Sequence, residues 1–159
     1  MPIADPKIPF EHIILKLQSQ REDLTSIRNR ASISAAITGL IAAFFASAIG
    51  AERLQVTLKA DVALGLSPAA AMLFLVFILS LAFAAMTILI REEVSFSFDA
   101  VLMLEKRHEL SEAEFFRLYV TDGEWYFTDN ERKIDRAQSY LFFSVTLGWS
   151  QVFAWILVM

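Results

Sequence analysis

The hydrophobic pattern is dominated by Pro68 to Ile90, PAAAMLFLVFILSLAFAAMTILI, which contains no charge and only Ser80 and Thr87 as polar residues. A charge-free apolar run of about 18 residues or more has the length of a helix that crosses the hydrocarbon core of a bilayer. Ser67 and Pro68 supply an N-cap and a first-turn proline, and Arg91-Glu92-Glu93 closes the run. A chain of 159 residues offers little core in which to bury a helix this apolar on every face.

Upstream the pattern changes. Phe10, Ile13, Leu17, Leu24, Ile27 and Ala31 fall on alternating spacings of three and four, with Gln20 in the remaining slot. Such a heptad-like seam keeps one helix face against a partner. It predicts an amphipathic helix over 10–30, packed against the chain's other cytosolic helices in preference to forming a collar between subunits. The helix is expected to run unbroken into 31–51, ASISAAITGLIAAFFASAIGA, a second charge-free stretch. There Ala31, Ala35, Gly39, Ala43, Ser47 and Ala51 lie four apart. Small residues at this spacing let helix backbones approach closely in a membrane, where van der Waals packing replaces the hydrophobic drive. The stripe therefore predicts helix packing or oligomerisation, against the same chain or another subunit.

Residues 52–67 alternate in polarity but have no strand to pair with, and they are expected to form an external loop or short surface helix. Residues 91–138 form a polar, helical section. A helix is expected near Phe98 to Glu109, and a second is opened by a capping box of Ser111 and Glu114. That helix is expected to end at the turn dipeptide Asp122-Gly123. Trp125, Tyr126 and Phe127 follow as core or interface anchors, with a ligand platform as the sharper alternative. Thr128 with Glu131 forms a second capping box before a helix that turns apolar over 139–159. The expected fold is thus all-α: one membrane domain with spans at 31–51, 68–90 and 139–159, and a cytosolic helical section.

Composition and charge set the surroundings. A hydrophobic content of 56% is high for a soluble domain. The absence of cysteine removes disulfides, thiolate metal sites and cysteine nucleophiles. A net charge of −4 argues against nucleic-acid binding. The start, MPIADPKIPFEHIILKLQSQ, lacks the basic and apolar regions of a cleavable signal, so the first span is expected to direct insertion. Lys and Arg number five before the first span, two in 52–67 and seven in 91–138. The positive-inside rule then places the N-terminus in the cytosol and the C-terminus outside. Arg28, Arg30 and Arg136 sit just before spans one and three, at a depth where cationic side chains reach lipid headgroups.

Catalytic constellations are absent from the pattern. His12 and His108 stand outside any ligand motif, and no glycine-rich phosphate loop or hydrolase elbow occurs. The acidic residues of 105–114 are interleaved with Lys106 and Arg107, as on a solvated, ion-paired face. No catalytic residue, cofactor or metal site is expected. Intramembrane polar residues are Thr38, Ser80, Thr87, Ser144, Thr146, Ser150 and Gln151, none of them charged. That counts against a proton-coupled carrier. Gln151 lies on nearly one face with Ser144 and Gly148 and is expected to form an interhelical hydrogen bond. Lining a water path is its alternative role.

An N-terminal helix entering a small-residue span at IRNRASISAAITGL, a hairpin, and a helical section leading through NERKIDRAQSY into a last span form a distinctive layout. This layout resembles the small multi-span effectors of bacterial antiphage systems, of the SLATT and Pycsar types. The resemblance implies an oligomer in the bacterial inner membrane that compromises that membrane on a nucleotide signal, although no recognisable nucleotide-sensing motif stands in the sequence and no site residues carry over. The leading expectation is a non-enzymatic effector or scaffold that assembles in the bilayer and contacts lipids. The alternatives are a small channel or transporter subunit using Gln151, and a membrane anchor whose cytosolic helices bind a soluble protein.

Overall fold

A computed structural model describes residues 7–49, 68–90 and 98–158, all of them helical or in short connections, with no strand among them. The described residues form four helices: α1, Lys7–Ile49; α2, Pro68–Leu89; α3, Ala100–Glu109; and α4, Glu112–Val158. The expected tail before Lys7, the 52–67 connection, the Ser67 cap, Ala51 and Met159 lie outside the described residues.

Two compact units form. The first takes Met1–Ser26 and Ile90–Arg136, the second Ile27–Leu89 and Ala137–Met159. The unit boundaries therefore fall inside α1 and α4.

In the first unit the predicted seam is an intramolecular one. Ile13, Leu17, Gln20 and Leu24 are buried, together with Phe115, Tyr119 and Ile134. Lys16 Nζ reaches Glu124 Oε1 at 3.0 Å, and Gln20 Nε2 donates to the Phe127 carbonyl at 2.9 Å. Phe98 is the hub of an aromatic core, with ring centroids 5.0 Å from Tyr119, 5.8 Å from Tyr126 and 6.4 Å from Phe10. Next to it, Asp99 caps α3 by accepting from the Val101 N–H at 2.8 Å and the Leu102 N–H at 3.4 Å. The Ser111–Glu114 capping box forms as expected. The Ser111 hydroxyl and N–H both donate to Glu114 Oε2, and Ser111 Oγ accepts from the Glu114 N–H. Those two donors hold the Glu114 carboxyl below the ordinary glutamate range, the hydroxyl contributing most.

Two expected breaks do not occur. Asp122-Gly123 is helical, because Gly123 marks a close approach of side chains and not a turn. Thr128 does not cap a helix with Glu131. Its hydroxyl donates to the Glu124 carbonyl at 2.9 Å, a bond to the preceding turn that keeps it inside α4. Nor does the aromatic triplet act as a unit. Tyr126, against Phe98, and Phe127 are half-buried, whereas Trp125 is exposed.

Two helices, α1 and α2, are long and apolar enough to cross a membrane, over Lys7–Ala48 and Ala70–Leu89. Among the described residues two spans meet this measure, against the expected three.

Candidate functional site: a buried polar seam

The interior face of α1 continues the spacing of the first seam. Ile27, Ala31, Ser34 and Thr38 are buried at steps of four, three and four. On α4 the buried residues are Ala137, Ser144, Gly148 and Gln151, and on α2 they include Ala70, Leu73, Ser80, Ala84 and Thr87. Small and hydroxylated residues thus meet at the centre. Ser34 Oγ lies 3.3 Å from Ser144 Oγ, and Thr38 Oγ1 lies 3.3 Å from Ser80 Oγ. Ser80 also donates to the Ser144 carbonyl at 2.9 Å, so one hydroxyl ties α2 to both neighbours. Gly148 completes the cluster: a Cβ there would lie 2.6 Å from Thr38 Oγ1 and 3.4 Å from Ser80 Oγ. The stack of Phe45 on Trp155 (5.9 Å, 6°) and the tilted pair of Phe83 and Phe143 (5.4 Å, 31°) flank it.

The outward faces have the opposite character. Leu40, Phe44, Ile78 and Phe153 are 69%, 68%, 60% and 71% exposed, whereas Ser80, Ser144 and Gln151 are 0% exposed. Water-soluble domains bury large apolar side chains and leave few contiguous apolar patches outside. Here polar groups pair inside and apolar groups face out.

The expected site residues separate into three groups. Ser144, Gly148 and Gln151 are all buried on α4, but the interhelical hydrogen bonds are made by Ser144 and not by Gln151. Both amide atoms of Gln151 are buried without a partner, as is Trp155 Nε1 one turn further on. The small-residue stripe is not one face. A four-residue step exceeds the 3.6-residue turn and drifts by about 40° each time. Accordingly Ala31 is fully buried, Ala35 and Gly39 are half-buried, and Ala43 and Ser47 are exposed. A Cβ at Gly39 would meet nothing within 4 Å. Of the basic residues, Arg30 and Arg136 are exposed and Arg28 is partly buried. Ser34 escaped the sequence reading, although it sits at the next position of the seam. His12 and His108 are both exposed, and no three metal-ligating side chains come together among the described residues.

Replacing Gln151 with Leu is expected to stabilise the second unit by about 1 kcal/mol or more, since an unpaired buried amide costs about 1–3 kcal/mol. Denaturation of the detergent-solubilised protein by increasing SDS measures this. A loss of stability would show that the amide has a partner, such as an ordered water.

No family model, curated protein or solved structure matches this chain.

Proposed function

We propose that this chain is a non-enzymatic, multi-span membrane protein that assembles with copies of itself into an effector or scaffold acting on the bilayer. The observation that carries the reading is the reversed polarity of the second unit, with paired hydroxyls inside and large apolar side chains outside. In lipid this is the favourable arrangement, because unpaired polar groups are costly in hydrocarbon and apolar side chains are not. On this reading α1 and α2 span the membrane. The apolar end of α4 crosses beside them, its Phe142, Trp149 and Phe153 turned outward. The basic-residue distribution supports a cytosolic N-terminus and an external C-terminus, and the layout resemblance suggests a bacterial inner membrane. The antiphage-effector resemblance rests on layout alone.

Self-assembly is supported by the part of the stripe that the chain leaves open. Ala35, Gly39, Ala43 and Ser47 wind off the interior face, and Gly39 has no neighbour that a larger side chain would strike. Such a surface suits close packing of a second helix. Gly39→Leu should therefore keep insertion and stability (within about 0.5 kcal/mol, as for surface substitutions) yet disrupt assembly. In bacteria carrying a membrane-potential dye, induced wild type should depolarise the cells and equally inserted Gly39→Leu should not. Equal depolarisation by both would remove the stripe from the mechanism.

A second reading is favoured by a cleft of about 570 Å³ in the first unit, lined by Phe10, Leu104, Phe115 and Phe116 with Arg107 and Glu112 at hand. It suits a membrane-anchored adaptor that binds a soluble protein. Absence of depolarisation by well-inserted wild type, together with a co-purifying soluble partner, would select it.

A further inference from the structure

An open groove of about 140 Å³ runs between α1 and α4 in the second unit. Ile33, Ile37 and Val145 form its sides, and the buried Ser34 and Thr38 lie along its floor. Both floor hydroxyls are engaged, Ser34 with Ser144 and Thr38 with Ser80. What the groove offers a ligand is therefore mainly hydrocarbon. Arg30 stands at its N-terminal end along α1 and is exposed, with no ion pair among the described residues.

An apolar channel that ends in a lone guanidinium matches an amphiphile with an anionic head and an apolar tail. We propose that the groove binds one acyl chain of an anionic phospholipid whose phosphate rests on Arg30. Guanidinium donors pair with phosphate oxygens in a fixed, two-pronged geometry that lysine lacks. A free phosphate would satisfy Arg30 and leave the groove empty, so the lipid is the occupant that uses both features. The site also separates the three junction arginines: Arg28 and Arg136 do not line the groove and have only the general role of snorkelling to headgroups. This inference rests on the membrane reading of the second unit.

Trp149 lines the same groove and supplies a reporter. The Ser34–Ser144 contact sets a register of 110 residues, which puts Trp149 level with Gly39. That is about 13 Å along α1 from Arg30 at 1.5 Å per residue, a depth reached by the lipid chain and not by its head.

The test uses the full chain with Trp125→Phe and Trp155→Phe, reconstituted in phosphatidylcholine vesicles. A minor fraction of lipid carries brominated chains, on either phosphatidylglycerol or phosphatidylcholine. Brominated phosphatidylglycerol should quench Trp149 with about fivefold higher apparent affinity, the selectivity that one basic residue near an anionic lipid confers. Arg30→Gln should abolish the difference and Arg28→Gln should not. Native mass spectrometry of the unsubstituted chain provides a second readout, with phosphatidylglycerol adducts that Arg30→Gln removes. Equal quenching by the two lipids, or a preference that survives Arg30→Gln, would overturn the site while leaving the membrane reading intact. Absence of quenching by either lipid would overturn the membrane reading itself.

Discussion

Gly148→Leu is expected to destabilise the second unit by at least about 3 kcal/mol, beyond the usual range for an extra methylene forced into a packed interior. A Cβ at this position would lie 2.6 Å from Thr38 Oγ1 and 3.4 Å from Ser80 Oγ. Thr38 cannot yield cheaply. It is 1% exposed, its branched side chain is restricted at χ1, and swinging the hydroxyl away would sacrifice the bond to Ser80. Ser80 is no freer, since it also donates to the Ser144 carbonyl. Gly148→Ala should show the same sign with about 1–3 kcal/mol, and Gly39→Leu, facing open space, should be nearly silent. Denaturation of the three variants by SDS in mixed micelles checks the ranking. A stable Gly148→Leu would mean that α1 and α4 do not meet at this glycine.

The comparison between Gly148 and Gly39 also shows what a sequence pattern conveys. Both glycines lie in apolar stretches, and small-residue spacing drew attention to the one at Gly39. Spacing of four is conspicuous by eye, but the helix turns at 3.6 residues, so a run of fours winds off any face it starts on. The face that packs follows alternating threes and fours. That rhythm was legible from Phe10 to Ala31 because Ile and Leu occupy it. Beyond Ala31 it continues through Ser34 and Thr38, where the apolar signal inverts: on the proposed membrane reading, lipid would remove the reason to put large apolar groups inside, and small hydroxylated residues pack there instead.

The same inversion conceals the seam of α4. Ser144, Gly148, Gln151 and Trp155 follow steps of four, three and four, and the structure places the first three of them in the interior. Contacts of this segment with α1 keep a constant register, Ser34 with Ser144 and Phe45 with Trp155, so the two segments run parallel. Local chemistry was legible where it was self-contained. The Ser111–Glu114 box depends on residues three apart and forms as read. Thr128 and Glu131 have the same spacing, but the helix already running through them supplies their backbone partners, so no cap is needed. A capping pattern predicts a helix start only where tertiary packing does not favour continuing the helix.

Gly123 gives the clearest case of packing overriding local sequence, and its substitution carries the other large effect. Gly123→Leu is expected to cost the first unit about 3 kcal/mol or more, by the same overpacking. A Cβ at Gly123 would lie 2.6 Å from Ile13 Cγ1, 3.1 Å from Ile13 Cγ2 and 3.1 Å from Phe98 Cζ. Ile13 is 1% exposed and presents both branches, so rotation about χ1 replaces one clash with another. Phe98 is held between Phe10, Tyr119 and Tyr126. For Gly123→Ala two effects oppose: about 1 kcal/mol of improved helix propensity against about 1–3 kcal/mol of overpacking. Leu removes that ambiguity. Hydrogen exchange over 7–26 and 98–136 reads the first unit separately from the second. The contact itself is tested by adding Ile13→Ala, which deletes both clashing branches. The double variant should then be more stable than the sum of the two single losses, by an amount within the roughly 0.5–3 kcal/mol seen for residues in contact. Strict additivity would separate Gly123 from Ile13 and restore the turn that the Asp122-Gly123 dipeptide suggests.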